Sequence, residues 1–381
     1  MSCSLFKEEH EIFRKQVRKF VDREIRPYVE KWEEERYFPD DLFRKAGEAG
    51  ILGILIPEEY GGSGGDVLYS AVIIEELTRS GAGGVQAGLG MSALVFANAI
   101  LNYGSEEQKK KILPEIAKGT KIGAVAVTEP YAGSDVFRIR TKAEKVDGGY
   151  LLNGSKIFIT NGARADYIIV LAKTDESAGY GGFTTFLVEK GMKGFSVARK
   201  IEKVGWWSSD TAELVFEDLF VPVENVLGKE GEGFYNIMMG FDFERLVMAM
   251  GAVAGAEYAL EAGMKYAKER EAFGKPISKF QVWRHRFAHL ATLVEAAKRL
   301  TYHGLCLYYE GKNAIKELTM AKYFATELSN KVTDYVLQVH GGYGYTMDFP
   351  IQRYWRDSRI GTIGGGTSEI MLEIISKFLD L

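Results

Sequence analysis

Through the first third of the chain, apolar positions recur at helical spacing. Phe6, Ile12, Phe13, Val17 and Phe20 form one series with charges on the other face, the pattern of a helix that buries one side. Residues 42–50 and 70–80 repeat it. Between them PEEYGGSGGD reads as a glycine-rich loop. Residues 83–103 are small, apolar and almost uncharged, as in a buried helix. Ser105 before Glu106, Glu107 and Gln108 predicts a capped helix start. A serine oxygen can meet an orphan backbone N–H there, and acids favour the helix dipole.

Near residue 121 the period shortens. KIGAVAVTEP, YLLNGSKIFIT, YIIVLAKT, GFTTFLVE and TAELVFEDLFV are short runs rich in Val, Ile, Thr and Phe, set apart by DGG, NG, ESAGYGG and KGMKG. Such runs predict a meander of strands, sheet-like or barrel-like. From 231 onward the stretches 231–270, 279–311 and 315–345 are long and lack alternation. Pro276 and Gly311-Lys312-Asn313 punctuate them. The pattern predicts a mainly α protein with a central β domain: an N-terminal helical domain over 1–120, a middle β domain over 121–225 and a C-terminal helical bundle over 226–381.

Composition narrows the function. The 381 residues suffice for two or three domains. A net charge of −4 disfavours a nucleic-acid surface. Cys3 and Cys306, the only cysteines, give neither a disulfide framework nor a thiolate cluster. The N-terminal stretch is a charged amphipathic helix with no apolar signal core, and no run reads as a membrane span, so a cytoplasmic protein is expected. His285 and His289 stand four apart, yet HRFAH is not HExxH and no third ligand is evident, so no metal is expected. HGGYGYT (340–346) lacks the full GxGxxG and follows a helix, which argues against a Rossmann loop.

Two segments carry candidate chemistry. In FDFERLVMAMGA, the helical neighbours of Glu244 at three and four residues are Gly240, Phe241, Val247 and Met248, all apolar. Arg245 points about 100° away and is not its partner. A carboxylate on an apolar face is costly unless paired, protonated or facing a ligand. Burial would lift its pKa toward the range of a useful base. Two readings stay open: a cation from another helix meets it, or a ligand does. In TIGGGTSEIM, three glycines precede a helix start near Ser368. Their bare backbone N–H groups can cradle a polar or anionic group; the plainer alternative is a flexible turn. Glu369 lies in the first helical turn and Glu373 pairs with Lys377, and neither needs a catalytic reading.

Taken together, AVTEPYAGSD (126–135), GSKIFITNG (154–162), SSDTAELVFEDLFVP (208–222), REAFGKPISKFQ (270–281), QVHGGYGY (338–345) and GGTSEI (365–370) resemble the acyl-CoA dehydrogenase family. These are flavoenzymes that introduce a double bond next to a CoA thioester. The segments stand in the family's order, and the resemblance covers essentially the whole chain. The family's fold is also the one that periodicity predicts.

The resemblance implies FAD as cofactor. It implies flavin contacts at Val127, Thr128 and Ser134, the last also toward the thioester. Phe158 matches an aromatic flanking the isoalloxazine, often Trp in the family, and Thr160 a hydroxyl near N5. Arg270, Phe273 and Gln281 match residues that reach the FAD of a neighbouring subunit. Gln338, Gly341 and Gly342 match a turn on its adenosine-diphosphate side, and Thr367 and Glu369 match further contacts. Asp242 and Arg245 match residues that meet the CoA moiety. Most members place the catalytic glutamate just before the Gly-Thr of GGTSEI, where this chain has Gly365. A minority, resembling the isovaleryl and long-chain enzymes, keeps the base on a helix of the third domain. That position is Glu244, so the resemblance implies Glu244 as base, with Gly365 still serving through its backbone N–H.

The implied partners are an acyl-CoA substrate, an electron-transferring flavoprotein as acceptor and a second pair of subunits in a homotetramer. Residues 83–99 and 248–256, rich in Gly, Ala and Met, are expected to line the acyl pocket and to admit a long, branched, cyclic or aryl-bearing chain. An oxidase-like enzyme using O2 and a catalytically silent CoA-ester-binding relative are the alternatives. Trp206-Trp207 is open to three readings: pocket wall, docking surface or core.

Overall fold

The computed structural model describes residues 5–381, which leaves Cys3 outside the description. The helices α1 (Glu8–Phe20), α2 (Val29–Glu34), α3 (Asp41–Glu48), α4 (Leu68–Thr78), α5 (Gly83–Gly90), α6 (Ala97–Tyr103) and α7 (Glu106–Lys118) come first. On α1 the buried series is His10, Phe13, Val17 and Phe20. Ile12, expected in it, is 58% exposed. One step along a helix turns a side chain about 100° away from its neighbour's face. Ser105 caps α7 as expected. Its hydroxyl accepts the Gln108 N–H at 3.2 Å, and Gln108 Oε1 accepts the Ser105 N–H at 3.0 Å.

The stretch Gly83–Tyr103 corrects one expectation. It is helical throughout, α5 and α6 being joined by a π-helical segment (Met91–Phe96), and by length and composition it is long and apolar enough to cross a membrane. Gln86, Ser92, Asn98 and Asn102 interrupt it with polarity but without charge, which is why it did not read as a span. In the protein 61% of that window is buried. Val85, Leu89 and Leu94 pack among the N-terminal helices. Phe96 and Ile100 share a core with Ile169 and Leu187 of the sheet.

The strands β1 (Gly123–Ala126), β2 (Lys142–Val146), β3 (Gly149–Thr160), β4 (Tyr167–Lys173), β5 (Phe183–Glu189), β6 (Phe195–Lys200), β7 (Thr211–Pro222) and β8 (Val226–Leu227) form one sheet. Its order is β6-β7-β3-β2-β4-β5-β8, with β1 parallel to β4. The sequence of β4 lacks clean alternation because both its faces are covered. Ile168 and Val170 belong to one core, Tyr167 and Ile169 to another.

Helix α8 (Gly233–Glu269) follows, 37 residues long. A short hairpin of β9 (Glu271–Ala272) and β10 (Lys275–Pro276) leads to α9 (Gln281–Tyr309), α10 (Ile315–His340), α11 (Ile351–Ser358) and α12 (Ser368–Lys377). Two sides of α8 are buried. Phe243, Leu246, Val247 and Met250 pack with the N-terminal helices. Ala249, Val253, Ala256 and Leu260 pack with α9 and α10. This seat holds the α8 side chains between the two helical regions.

Trp206 and Trp207 lie at a joint rather than on open surface. The Trp206 N–H donates to Asp357 of α11 at 2.6 Å. The Trp207 ring lies between two guanidinium groups, Arg36 at 3.4 Å and Arg356 at 3.3 Å from its centroid. His285 and His289 are exposed on α9, and HGGYGYT forms a tight 3-10 turn after α10 rather than a strand-to-helix loop.

Candidate functional site

Glu244 projects from α8 into a half-buried position. Among the described residues its carboxylate has no hydrogen bond and no ion pair within 4 Å. Burial pushes its pKa up, and the charges of Arg245 and Lys322 oppose that rise in part. Arg245 is committed elsewhere: it donates to Asp242 Oδ1, one turn back, at 2.8 Å. Burial raises the pKa of Asp242 as well, with Arg245 opposing. The Nε of Arg245 is buried without a partner.

Opposite Glu244 runs the glycine turn that precedes α12. Gly365 has φ +61° and Gly366 φ +95°, the left-handed region that a Cβ disfavours. A Cβ added to Gly365 would stand 2.6 Å from Met248 Sδ and 3.6 Å from Glu244 Oε1. The two elements therefore meet at one point. Gly364 N–H donates to the Ile360 carbonyl at 2.8 Å, but the Gly365 N–H has no partner among the described residues. Thr367 caps α12 by accepting the Ile370 N–H at 3.3 Å. Exposed Glu369 has its pKa lowered chiefly by its own backbone N–H, as a carboxylate in the first turn of a helix should.

Sequence reasoning passed over a residue at this junction. Lys322 of α10 is fully buried and donates to the Gly366 carbonyl. Desolvation pulls its pKa down to about 8, Arg245 adding to the effect and Glu244, Glu327 and Glu369 opposing it. The sequence signal for it was weak. Its neighbours at three and four residues, Leu318, Thr319, Ala325 and Thr326, are all buried, but two are threonines, so the apolar pattern that singled out Glu244 is absent here.

A second group gathers at the exit of β1. Val127 is buried, Thr128 half-buried and Ser134 exposed. The Ile157 N–H donates to the Thr128 carbonyl at 2.9 Å, which ties this loop to β3. Buried Lys156 also holds it, donating to the Val127 carbonyl at 2.9 Å and to Glu129 Oε1 at 2.8 Å. Glu129 in turn accepts the backbone N–H and the hydroxyl of Thr141 at 3.0 and 2.6 Å. The β3–β7 register shifts between Lys156 and Ile159. Phe158, at φ +64°, is thereby held out of the sheet and is 61% exposed. Thr160 closes the strand, half-buried.

The third group lies at the end of α8 and the start of α9, with a fourth at the end of α10. Arg270, Phe273 and Gln281 are exposed, Phe273 to 95%. Gln338, Gly341 and Gly342 are exposed too, and a Cβ on either glycine would meet nothing within 4 Å. Within one chain, none of these six residues hydrogen-bonds or stacks with Val127, Thr128, Ser134, Phe158 or Thr160 among the described residues. Among the described residues there is no group of three or more His, Cys, Asp or Glu arranged to hold a metal ion.

Comparison with known proteins gives a consistent result. Three family models match: Acyl-CoA dehydrogenase, N-terminal domain, over residues 7–120; middle domain, over 124–219; and C-terminal domain, over 231–379. The chain is 42% identical over 375 residues to the long-chain specific acyl-CoA dehydrogenase, mitochondrial, of Sus scrofa, covering 98% of this chain and 87% of that one. It is 41% identical over 377 residues to the isovaleryl-CoA dehydrogenase, mitochondrial, of Solanum tuberosum, covering 98% and 91%. The crystal structure of an acyl-CoA dehydrogenase from Geobacillus kaustophilus superposes with a TM-score of 0.97 at 41% identity, covering 99% of this chain and 100% of that one.

Proposed function

The chain belongs to the acyl-CoA dehydrogenase family, and on that premise we propose that it converts an acyl-CoA to the 2,3-enoyl-CoA with Glu244 as base. The family's cofactor is FAD. The residues present fit one: an exposed aromatic face at Phe158, and bare backbone at Gly341 and Gly342. Val127, Thr128, Ser134, Phe158 and Thr160 would hold the ring system, with Thr367 and Glu369 adding contacts. Arg270, Phe273, Gln281, Gln338, Gly341 and Gly342 would serve the FAD of a neighbouring subunit, which suits their exposure and their separation from the first set. When bound, the flavin accepts the two electrons together with the β-hydrogen.

The chain's own work is proton chemistry. Glu244 takes the α-hydrogen as a proton. Desolvation supports this role, because a carboxylate with a raised pKa is a stronger base. The thioester oxygen gains charge as the proton leaves, and the unpartnered N–H of Gly365 is a donor for it. Asp242 and Arg245, bound to each other beside Glu244, would meet the CoA moiety. Met248, Gly251 and Gly255 continue the Glu244 face along α8. The atoms nearest a Cβ on Gly251 would be those of Ile74 at 3.6 Å and of Gln86 and Thr78 at 3.9 Å, none of them a clash, which supports an acyl slot between α8 and α4. The two relatives above act on different acyl groups and match about equally well. A long, branched, cyclic or aryl-bearing chain is the proposed substrate class, an electron-transferring flavoprotein the proposed acceptor and a homotetramer the proposed assembly.

The reading rests above all on the half-buried, unpartnered Glu244 carboxylate lying 3.6 Å from where the side chain of Gly365 would begin. The test is anaerobic addition of butyryl-, isovaleryl-, palmitoyl-, cyclohexanecarbonyl- and 3-phenylpropionyl-CoA to the yellow protein. Bleaching by at least one is expected, and bleaching by none overturns the proposal. Peroxide formed during turnover without an added acceptor would replace the dehydrogenase reading with the oxidase one.

A further inference from the structure

We propose that Lys322 is a positioning residue for this reaction, its ammonium gripping the Gly366 carbonyl so that the Gly364–Gly366 turn presents the Gly365 N–H to the thioester oxygen. The inference rests on the reading of Glu244 and Gly365 given above. Three observations carry it. The turn has two consecutive left-handed glycines, so no side chain restrains its peptide planes and hydrogen bonds must do so. Those bonds are few: Gly364 to Ile360 on one side, Lys322 to the Gly366 carbonyl on the other. The donor they bracket, the Gly365 N–H, is unpaired. A fully buried ammonium is an expensive way to hold a turn that packing alone would serve. Its positive charge also favours the ionised form of Glu244, the form that accepts a proton.

The charged groups around Lys322 come from three elements: Glu244 and Arg245 on α8, Glu327 on its own helix and Glu369 on α12. Glu327 is engaged by the Ser368 hydroxyl at 2.6 Å. Arg245 is engaged by Asp242. Removing the Lys322 charge therefore acts chiefly on Glu244 and on the turn.

Proton abstraction can be read apart from oxidation. The holoenzyme flavin is reduced beforehand under nitrogen, and exchange of the α-hydrogens of isovaleryl-CoA and palmitoyl-CoA into D2O is followed by mass spectrometry. Wild type is expected to exchange at least one of them and Glu244→Gln neither. Lys322→Met, with FAD content and melting temperature as checks, is expected to exchange about 100-fold more slowly at saturation, the scale of a misplaced catalytic group. Its half-saturation should stay within about 3-fold, since the loss falls on the transition state. The acid limb of its pH profile should move to higher pH. Exchange within about 3-fold of wild type, or an unmoved acid limb, overturns the proposal. Should Lys322→Met fail to hold FAD, the shorter, uncharged Lys322→Gln takes the same test. If neither variant holds FAD, Lys322 is structural only and the proposal falls. Wild type that exchanges neither thioester, or Glu244→Gln that exchanges like wild type, overturns the parent reading instead.

Discussion

Glu244 and Gly365, 121 residues apart in the chain, occupy one place in the fold: a Cβ on the glycine would lie 3.6 Å from Oε1 of the glutamate. A carboxylate from α8 thus reaches the spot that a side chain on the turn would otherwise fill. The turn keeps its backbone N–H and gives up its side chain.

The same geometry limits what Gly365 can become. Gly365→Ala has to adopt φ +61° and to displace Met248, whose sulfur stands 2.6 Å from the new atom. The backbone strain alone costs about 1–2 kcal/mol. Thermal unfolding should show that loss, and anaerobic bleaching by an acyl-CoA should slow with it. Adding Met248→Gly should restore bleaching more than stability, because it removes the clash and leaves the strain.

Glu244→Gln is expected to retain FAD and bind acyl-CoA while bleaching at least about 100-fold more slowly, the usual scale of a lost general base. Turnover like that of wild type would remove Glu244 from the mechanism.

The pH dependence of this group has a definite sign. Burial raises the pKa of Glu244 from 4.5. A raised acid contributes stability that is complete below its unfolded value, about 4.3, and is lost as pH climbs through the folded value. Glu244→Gln escapes that loss, so it should melt at or above the wild-type temperature at pH 8, with the gap closing toward about pH 4. Activity runs the other way: wild type should gain bleaching rate as pH rises through the folded pKa and the base ionises.

Lys156 and Glu129 form a buried pair, their side chains 0% and 4% exposed. Lys156→Met would strand the Glu129 charge, at a cost of about 3–5 kcal/mol. It would also free the Val127–Thr128 loop, so FAD retention on gel filtration should fall with the melting temperature. The double variant Lys156→Met, Glu129→Leu should recover part of the stability, since no lone charge remains.

Gly251→Leu would place a branched side chain between α8 and α4, against Ile74 and Thr78. The expected result is a shift in kcat/KM of at least about 10-fold from palmitoyl-CoA toward isovaleryl-CoA, the worth of a methylene or more of pocket. An unchanged ratio would place the acyl chain elsewhere.

Periodicity carried the fold class because most elements bury a recognisable face. The series on α1 held except at Ile12, where hydrophobicity outweighed a one-residue error in phase. Glu244 was legible because its helical neighbours are apolar; Lys322 was not, because Thr319 and Thr326 make half of its helical neighbours polar. Lys156 was not legible that way. The irregular register beside it removes the two-residue period, so Lys156 and Ile157 are both buried while Phe158 is turned outward. The Trp207 sandwich joins Arg36 to Arg356 across 320 positions of chain, and no local pattern predicts such a contact.

Met248 puts its thioether where a side chain on the turn would begin, and that end of the residue is free to swing aside. A carboxylate placed on the turn would first have to turn that sulfur away. A side chain restored at position 365 therefore has its steric obstacle in one movable thioether and its lasting cost in the backbone at φ +61°.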